Sequence, residues 1–147
     1  MIYVLDADIL SLLAHKDSPE APRIRRRIAQ LPKDDSVVTT IVKYEEQMRG
    51  WLAALSRVKS REVEVQIYAR ILQHLTSFRR MTVLGFDMEA AAIAARLHRQ
   101  KVAIGSMDLK IATITLAADG TLVTRNAVDF RKVPELRIED WSIDTQT

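Results

Sequence analysis

The chain has no cysteine among its 147 residues. That excludes a disulfide framework, a thiolate zinc site and a cysteine nucleophile, and it fits a reducing cytoplasm. No apolar run approaches the ~20 residues needed to span a membrane. The opening MIYVLDADIL has no basic flank and is interrupted by Asp6 and Asp8, so it does not read as a signal peptide. No P-loop and no GxGxxG is present, which removes support for an NTPase or a dinucleotide-binding dehydrogenase. There is no internal repeat and no low-complexity segment.

What remains is an ordinary globular balance, 48% hydrophobic and 28% charged. The length suits one domain of about 150 residues, able to bury a core without staples. We take 1–142 as that domain and 143–147 as a frayed tail. The net charge is only +3, but basic residues cluster in RIRRR at 23–27, in FRR at 78–80 and at Arg131 and Lys132. Such clusters suit a polyanionic partner, while each taken alone reads first as a solvated helix face.

Short apolar runs predict strands at IYVL (2–5), SVVTT (36–40), TVLGF (82–86), TLVT (121–124) and, as an edge strand, LRIEDW. Helices are expected between them. The first is ILSLLAHK, capped by Asp8, and the next starts at SPEAP and runs to about Leu31. The segment 41–57 pairs with a long helix capped by Ser60, whose stripe is Val63, Ile67, Ile71, Leu72 and Leu75. Then come a helix capped by Asp87 and another, from Met107 to Ala118, capped by Ser106. Asp119-Gly120 makes a turn. This order predicts an α/β fold, a mostly parallel sheet of about five strands with helices on both faces.

Sites in open parallel sheets form at the carboxyl ends of the strands. Asp6 directly follows the first strand, Glu46 lies early in the helix after the second, Asp108 opens a helix, and Asp129 trails TLVT. In a parallel sheet all four can meet at one end. Four carboxylates together repel, and no lysine obviously accompanies them. A divalent cation is the natural countercharge. An oxygen-only donor set selects a hard ion, Mg²⁺ or Mn²⁺, and the matching chemistry is metal-assisted attack of water on a phosphodiester. Each acid also has a plain structural role open to it as a helix cap, a turn former, a dipole partner or a solvent-facing residue.

At these residues the chain resembles the PIN-domain ribonucleases, in particular the VapC-type toxins of toxin–antitoxin pairs. VLDADIL, TTIVKYEEQMRG, GSMDLKIATITLAADGTLVTRNAVDF and VPELRIEDW carry the likeness, the third most specifically. It implies a PIN-like three-layer fold. It also implies a metal site of Asp6, Glu46, Asp108 and Asp129, lined or buttressed by Ser106, Thr124 and Asn126. Glu46, not Glu45, stands four residues before Gly50, as in the family. Asp8 departs from the family's usual amide. The implied activity is a Mg²⁺- or Mn²⁺-dependent endoribonuclease acting on RNAs of translation. The implied partners are RNA, a cognate antitoxin with an arginine set against the carboxylates, and a second copy of the chain, with the alanine-rich helices as its surface.

Two other classes compete. One is an RNA-binding module of the same fold with an inactive site. The other is a receiver-like signalling domain, with Asp87 imitating its phosphoacceptor; against it, TLVTRN offers arginine where that class needs lysine. His15, His74 and His98 read as surface or boundary residues. Met48, Met81, Met88 and Met107 read as core, and Trp51 and Trp141 as fillers of a core or interface.

Overall fold

The computed structural model describes residues 1–15 and 17–144. Lys16, placed by sequence at the end of the first helix, and residues 145–147 of the tail lie outside the described residues. The elements run β1 (Ile2–Leu5), α1 (Ala7–Ala14), α2 (Ala21–Ala29), β2 (Ser36–Thr40), α3 (Ile41–Arg57) and α4 (Arg61–Arg79). They continue with β3 (Thr82–Leu84), α5 (Met88–Arg99), α6 (Ser106–Ala117), β4 (Thr121–Val123), α7 (Ala127–Phe130) and β5 (Arg137–Glu139).

The five strands form one parallel sheet in the order β3-β2-β1-β4-β5, so β1 lies at the centre and β5 at an edge, as predicted. Strand side chains alternate between the two faces, and the core divides accordingly. Val4, Val38 and Leu122 point to one face, where Val42 of α3, Ala90 and Leu97 of α5, and Ile111 and Ile114 of α6 pack on them. Tyr3, Leu5 and Val123 point to the other, beneath Ile9 of α1, Ile24 of α2 and Trp141. Helices on both faces make the expected three layers.

Helix α6 is the most enclosed. Ile111, Ala112, Thr113, Ile114 and Thr115 are buried in succession, so it is covered on all sides rather than on one stripe. Its buried hydroxyls bond within the helix, Thr113 to the Lys110 carbonyl at 2.9 Å and Thr115 to that of Ile111 at 2.8 Å. After it the chain reverses tightly: Asp119 adopts φ 51, and a Cβ on Gly120 would stand 3.1 Å from the Ile2 carbonyl oxygen.

Several sequence expectations change. Asp6, not Asp8, caps α1; Asp8 is its second residue. Ser106 makes no capping bond and is itself the first residue of α6, with Gly105 at the cap. Ser60 and Asp87 cap as predicted, accepting from the Val63 and Ala90 amides. The α3–α4 hairpin forms, but the buried stripe of α4 is Ile67, His74 and Phe78, while Val63, Leu72 and Leu75 are exposed. His74 therefore belongs to the interior, stacked on Tyr44 at 4.7 Å and edge-on to Phe78 at 4.6 Å. Met88, expected in the core, is 85% exposed. No helix among the described residues is long and apolar enough to cross a membrane.

Candidate metal centre at the carboxyl edge of the sheet

β1 and β4 are neighbours in register, with Leu5 opposite Val123. The residues that leave those strands are therefore adjacent. The Asp6 amide donates to the Val123 carbonyl at 2.9 Å, and the Thr124 hydroxyl donates to Asp6 Oδ2 at 2.8 Å. Asp6 Oδ1 accepts from the Ala7 amide at 2.7 Å. Asp6 is only 8% exposed. A carboxylate so placed needs donors on both oxygens, and it has them.

Thr124 also accepts from the Asn126 amide at 3.0 Å. Asn126 in turn donates through Nδ2 to Asp129 Oδ2 at 3.0 Å. The other Asp129 oxygen stands 3.6 Å from Lys132 Nζ. Asp6, Thr124, Asn126 and Asp129 thus form one hydrogen-bonded chain across the ends of β1 and β4. Sequence reading counts Lys132 in a basic cluster but does not pair it with Asp129. The only signal of that pair is the three-residue spacing, which brings them together once α7 is known to turn there.

Asp108 stands in the first turn of α6, half-buried because α6 itself is enclosed. Burial pushes its carboxyl above the ordinary aspartate range, and the charges of Asp6, Asp129, Glu46 and Asp8 push it the same way. All the acids named from sequence therefore act on one carboxyl. Glu46 is exposed, on the second turn of α3. Its neighbour Glu45 is turned to Arg49 at 3.4 Å, a surface pair along the helix. Ser106 is exposed and makes no side-chain capping bond.

Asp8 is a fifth acid at this edge. It accepts from the Ile9 amide at 2.7 Å and from the Arg125 amide at 3.1 Å, tying α1 to the loop after β4. Burial, then Asp6, raises its carboxyl, and the Arg125 and Ile9 amides and the Arg125 charge partly offset this.

The acids are coupled in charge but not gathered. Among the described residues no three His, Asp or Glu side chains are placed to hold one metal ion as they stand. The expectation that the four carboxylates meet around an ion is thus not reproduced in their side-chain positions. Asp129 is turned towards Asn126 and Lys132. The donor chemistry nevertheless suits a hard cation, because the four acids whose charges raise the Asp108 carboxyl are all oxygen donors.

A parallel sheet between two helical layers, with acids at the carboxyl edge of its central strands, defines a class, and the comparisons place the chain within it. The PIN domain family model matches residues 3–136, and the chain belongs to that family. Within it, the chain is similar to Ribonuclease VapC1 of Haemophilus influenzae (strain R2866), 31% identical over 97% of this chain and 99% of that one. Its fold matches the structure of VapBC-1 from nontypeable Haemophilus influenzae with a TM-score of 0.73, at 26% identity over 97% of this chain and 100% of that chain. It also matches VapBC-5 from Mycobacterium tuberculosis, a member of the VapBC family of toxin-antitoxin systems. There the TM-score is 0.58, at 25% identity over 95% of this chain and 96% of the other.

Proposed function

We propose that this chain is a Mg²⁺- or Mn²⁺-dependent endoribonuclease, with residues 1–142 as its working domain, and the cytoplasmic toxin of a toxin–antitoxin pair. The observation that carries the reading is the hydrogen-bonded run of Asp6, Thr124, Asn126 and Asp129 across the ends of β1 and β4, with the half-buried Asp108 carboxyl raised by burial and by the charges of the neighbouring acids. A charge that served only the start of α6 has no need of four further acids acting on it. The family and the similarity to Ribonuclease VapC1 support the same activity and substrate class.

In this reading Asp6, Glu46, Asp108 and Asp129 hold the cation. When bound, it would supply countercharge and Lewis acidity for attack of water on a phosphodiester. The chain's own residues prepare that site. Thr124 fixes the Asp6 carboxylate through one oxygen and the Ala7 amide fixes the other. Asn126 restrains Asp129, so both acids from this edge are oriented by one strand-end loop. Asp8 anchors that loop by its bond to the Arg125 amide. No observation favours an inactive RNA-binding module or a receiver-like domain.

The test is incubation of the purified protein with total RNA in Mg²⁺, in EDTA, and as Asp6→Asn. Internal cuts that need both the metal and Asp6 are expected. Cutting that persists equally in EDTA and in Asp6→Asn would overturn the assignment.

A further inference from the structure

An acidic crevice repels the phosphates it is meant to cut, so cations outside it must hold the strand. The structure has a cleft of about 780 Å³ between α2 and the segment from β5 onward. Arg23, Arg26 and Arg27 enter it from one face of α2, Arg131 from the end of α7, and Glu139 and Trp141 from the opposite wall. The cleft adjoins the acids. The Thr124 amide donates to the Glu139 carbonyl at 3.0 Å while its hydroxyl holds Asp6. Helix α7 separates the two: Asn126 and Asp129 bond each other beside the acids, while Ala127 and Arg131, one turn apart, line the cleft.

The four arginines are not equivalent. Arg23 meets Asp144 at 3.4 Å, and Arg27 meets Glu139 at 3.4 Å while lying 5.6 Å over the Trp141 ring. These pairs tie the walls together and neutralise two of the cleft's acids. The third, Asp140, accepts from the Ser142 amide and hydroxyl. Arg26 and Arg131 are exposed and have no acidic partner among the described residues. Trp141 is 4% exposed and packs on Tyr3, so it presents no open face for a base. Two uncommitted guanidiniums and no stacking platform suit a sugar-phosphate backbone, since a guanidinium matches phosphate oxygens in a paired geometry.

We propose that this cleft holds the RNA backbone on one side of the scissile bond, with Arg26 and Arg131 each meeting a phosphate. This rests on RNA cleavage at the acidic site. It separates Arg26 from its neighbour Arg25, whose guanidinium instead donates to the Leu13 carbonyl at 3.2 Å.

The experiment measures binding of a short fluorescent single-stranded RNA of mixed sequence against salt, with Asp108→Asn as the background so that the probe stays whole. Removing two phosphate contacts should flatten the slope of log K against log salt by about 1.4, at ~0.7 per contact for single strands. Arg26→Gln with Arg131→Gln should show that loss. Arg25→Gln with Arg99→Gln, which removes the same charge, should not. Arg26→Lys with Arg131→Lys should recover most of it. Equal slopes for the two Gln pairs would overturn the proposal. So would unchanged RNA binding with loss of antitoxin binding, which would make the cleft a protein site. If the unaltered chain cuts no RNA in Mg²⁺, the reading of the acidic site fails and this proposal with it, and the cleavage assay alone identifies that case.

Discussion

The Thr124 hydroxyl donates to the buried carboxylate of Asp6 at 2.8 Å while accepting from the Asn126 amide at 3.0 Å. One side chain thus sets both the orientation of the central acid and the entry to α7. Thr124→Val keeps the shape and removes the hydroxyl. It should cost about 1.5–3 kcal/mol, the range for a hydrogen bond to a charged group, and reduce RNA cleavage at least tenfold. Thr124→Ser should retain most of both. Urea unfolding and initial cleavage rates read the two effects.

Asp108→Asn should stabilise the metal-free protein at neutral pH. Its carboxyl is raised in the folded state by burial and by Asp6, Asp129, Glu46 and Asp8. The folded state therefore binds the proton more tightly than the unfolded one. Stability contributed by protonation is full below the unfolded value and falls as pH rises towards the folded one. Removing the charge should stabilise by on the order of 1 kcal/mol, from repulsion at an effective dielectric of about 20. It should also flatten the decline in stability on the alkaline side of the unfolded aspartate pKa. Unfolding free energies across that range in EDTA give the comparison. A destabilised Asp108→Asn would leave the residue as a helix-start charge only.

His74 carries the opposite sign. Burial pushes its pKa down, Lys43 adds to the shift, and its Nε2 has no hydrogen-bond partner. The unfolded state takes up the proton first, so stability should fall as pH drops through the unfolded histidine value, near ~6.5. His74→Phe should remove that part of the acid sensitivity and leave stability at neutral pH unchanged or higher. Thermal melts on either side of pH 6.5 are the readout. An identical pH profile for the two proteins would contradict the buried, neutral assignment.

Much of the fold was legible because the central strands are short apolar runs bounded by polar residues. IYVL and SVVTT fall on the observed β1 and β2, and Ser60 and Asp87 sit at helix starts they do cap. The acids were legible as a pattern because carboxylates at strand ends break an otherwise apolar rhythm. Side-chain facing was harder. Helix α4 carries apolar residues nearly all round, so period alone could not separate buried Ile67 and Phe78 from exposed Leu72 and Leu75. The burial of His74 depends on Tyr44, a partner on another helix. The four-residue α7 is too short to show a period, so Arg131 and Lys132 were legible as basic residues while the pairing of Lys132 with Asp129 and the placing of Arg131 in the cleft were not. Asp6 and Asp8 could each have capped α1 from sequence. Pairing of β1 with β4 decides between them by placing Asp6 at the strand's end, where it enters the helix.

The central claim is that the carboxylates around Asp108 take a divalent cation, and melts of the unaltered chain and of Asp108→Asn, each in EDTA and in Mg²⁺, test it most directly. Binding to the folded state alone adds RT ln(1 + [L]/Kd), about 1.4 kcal/mol at ten times Kd. The expected result is stabilisation of the unaltered protein by Mg²⁺ and loss of most of that response in Asp108→Asn, which should be the more stable of the two in EDTA. An equal Mg²⁺ response in both proteins, or none in either, would contradict it.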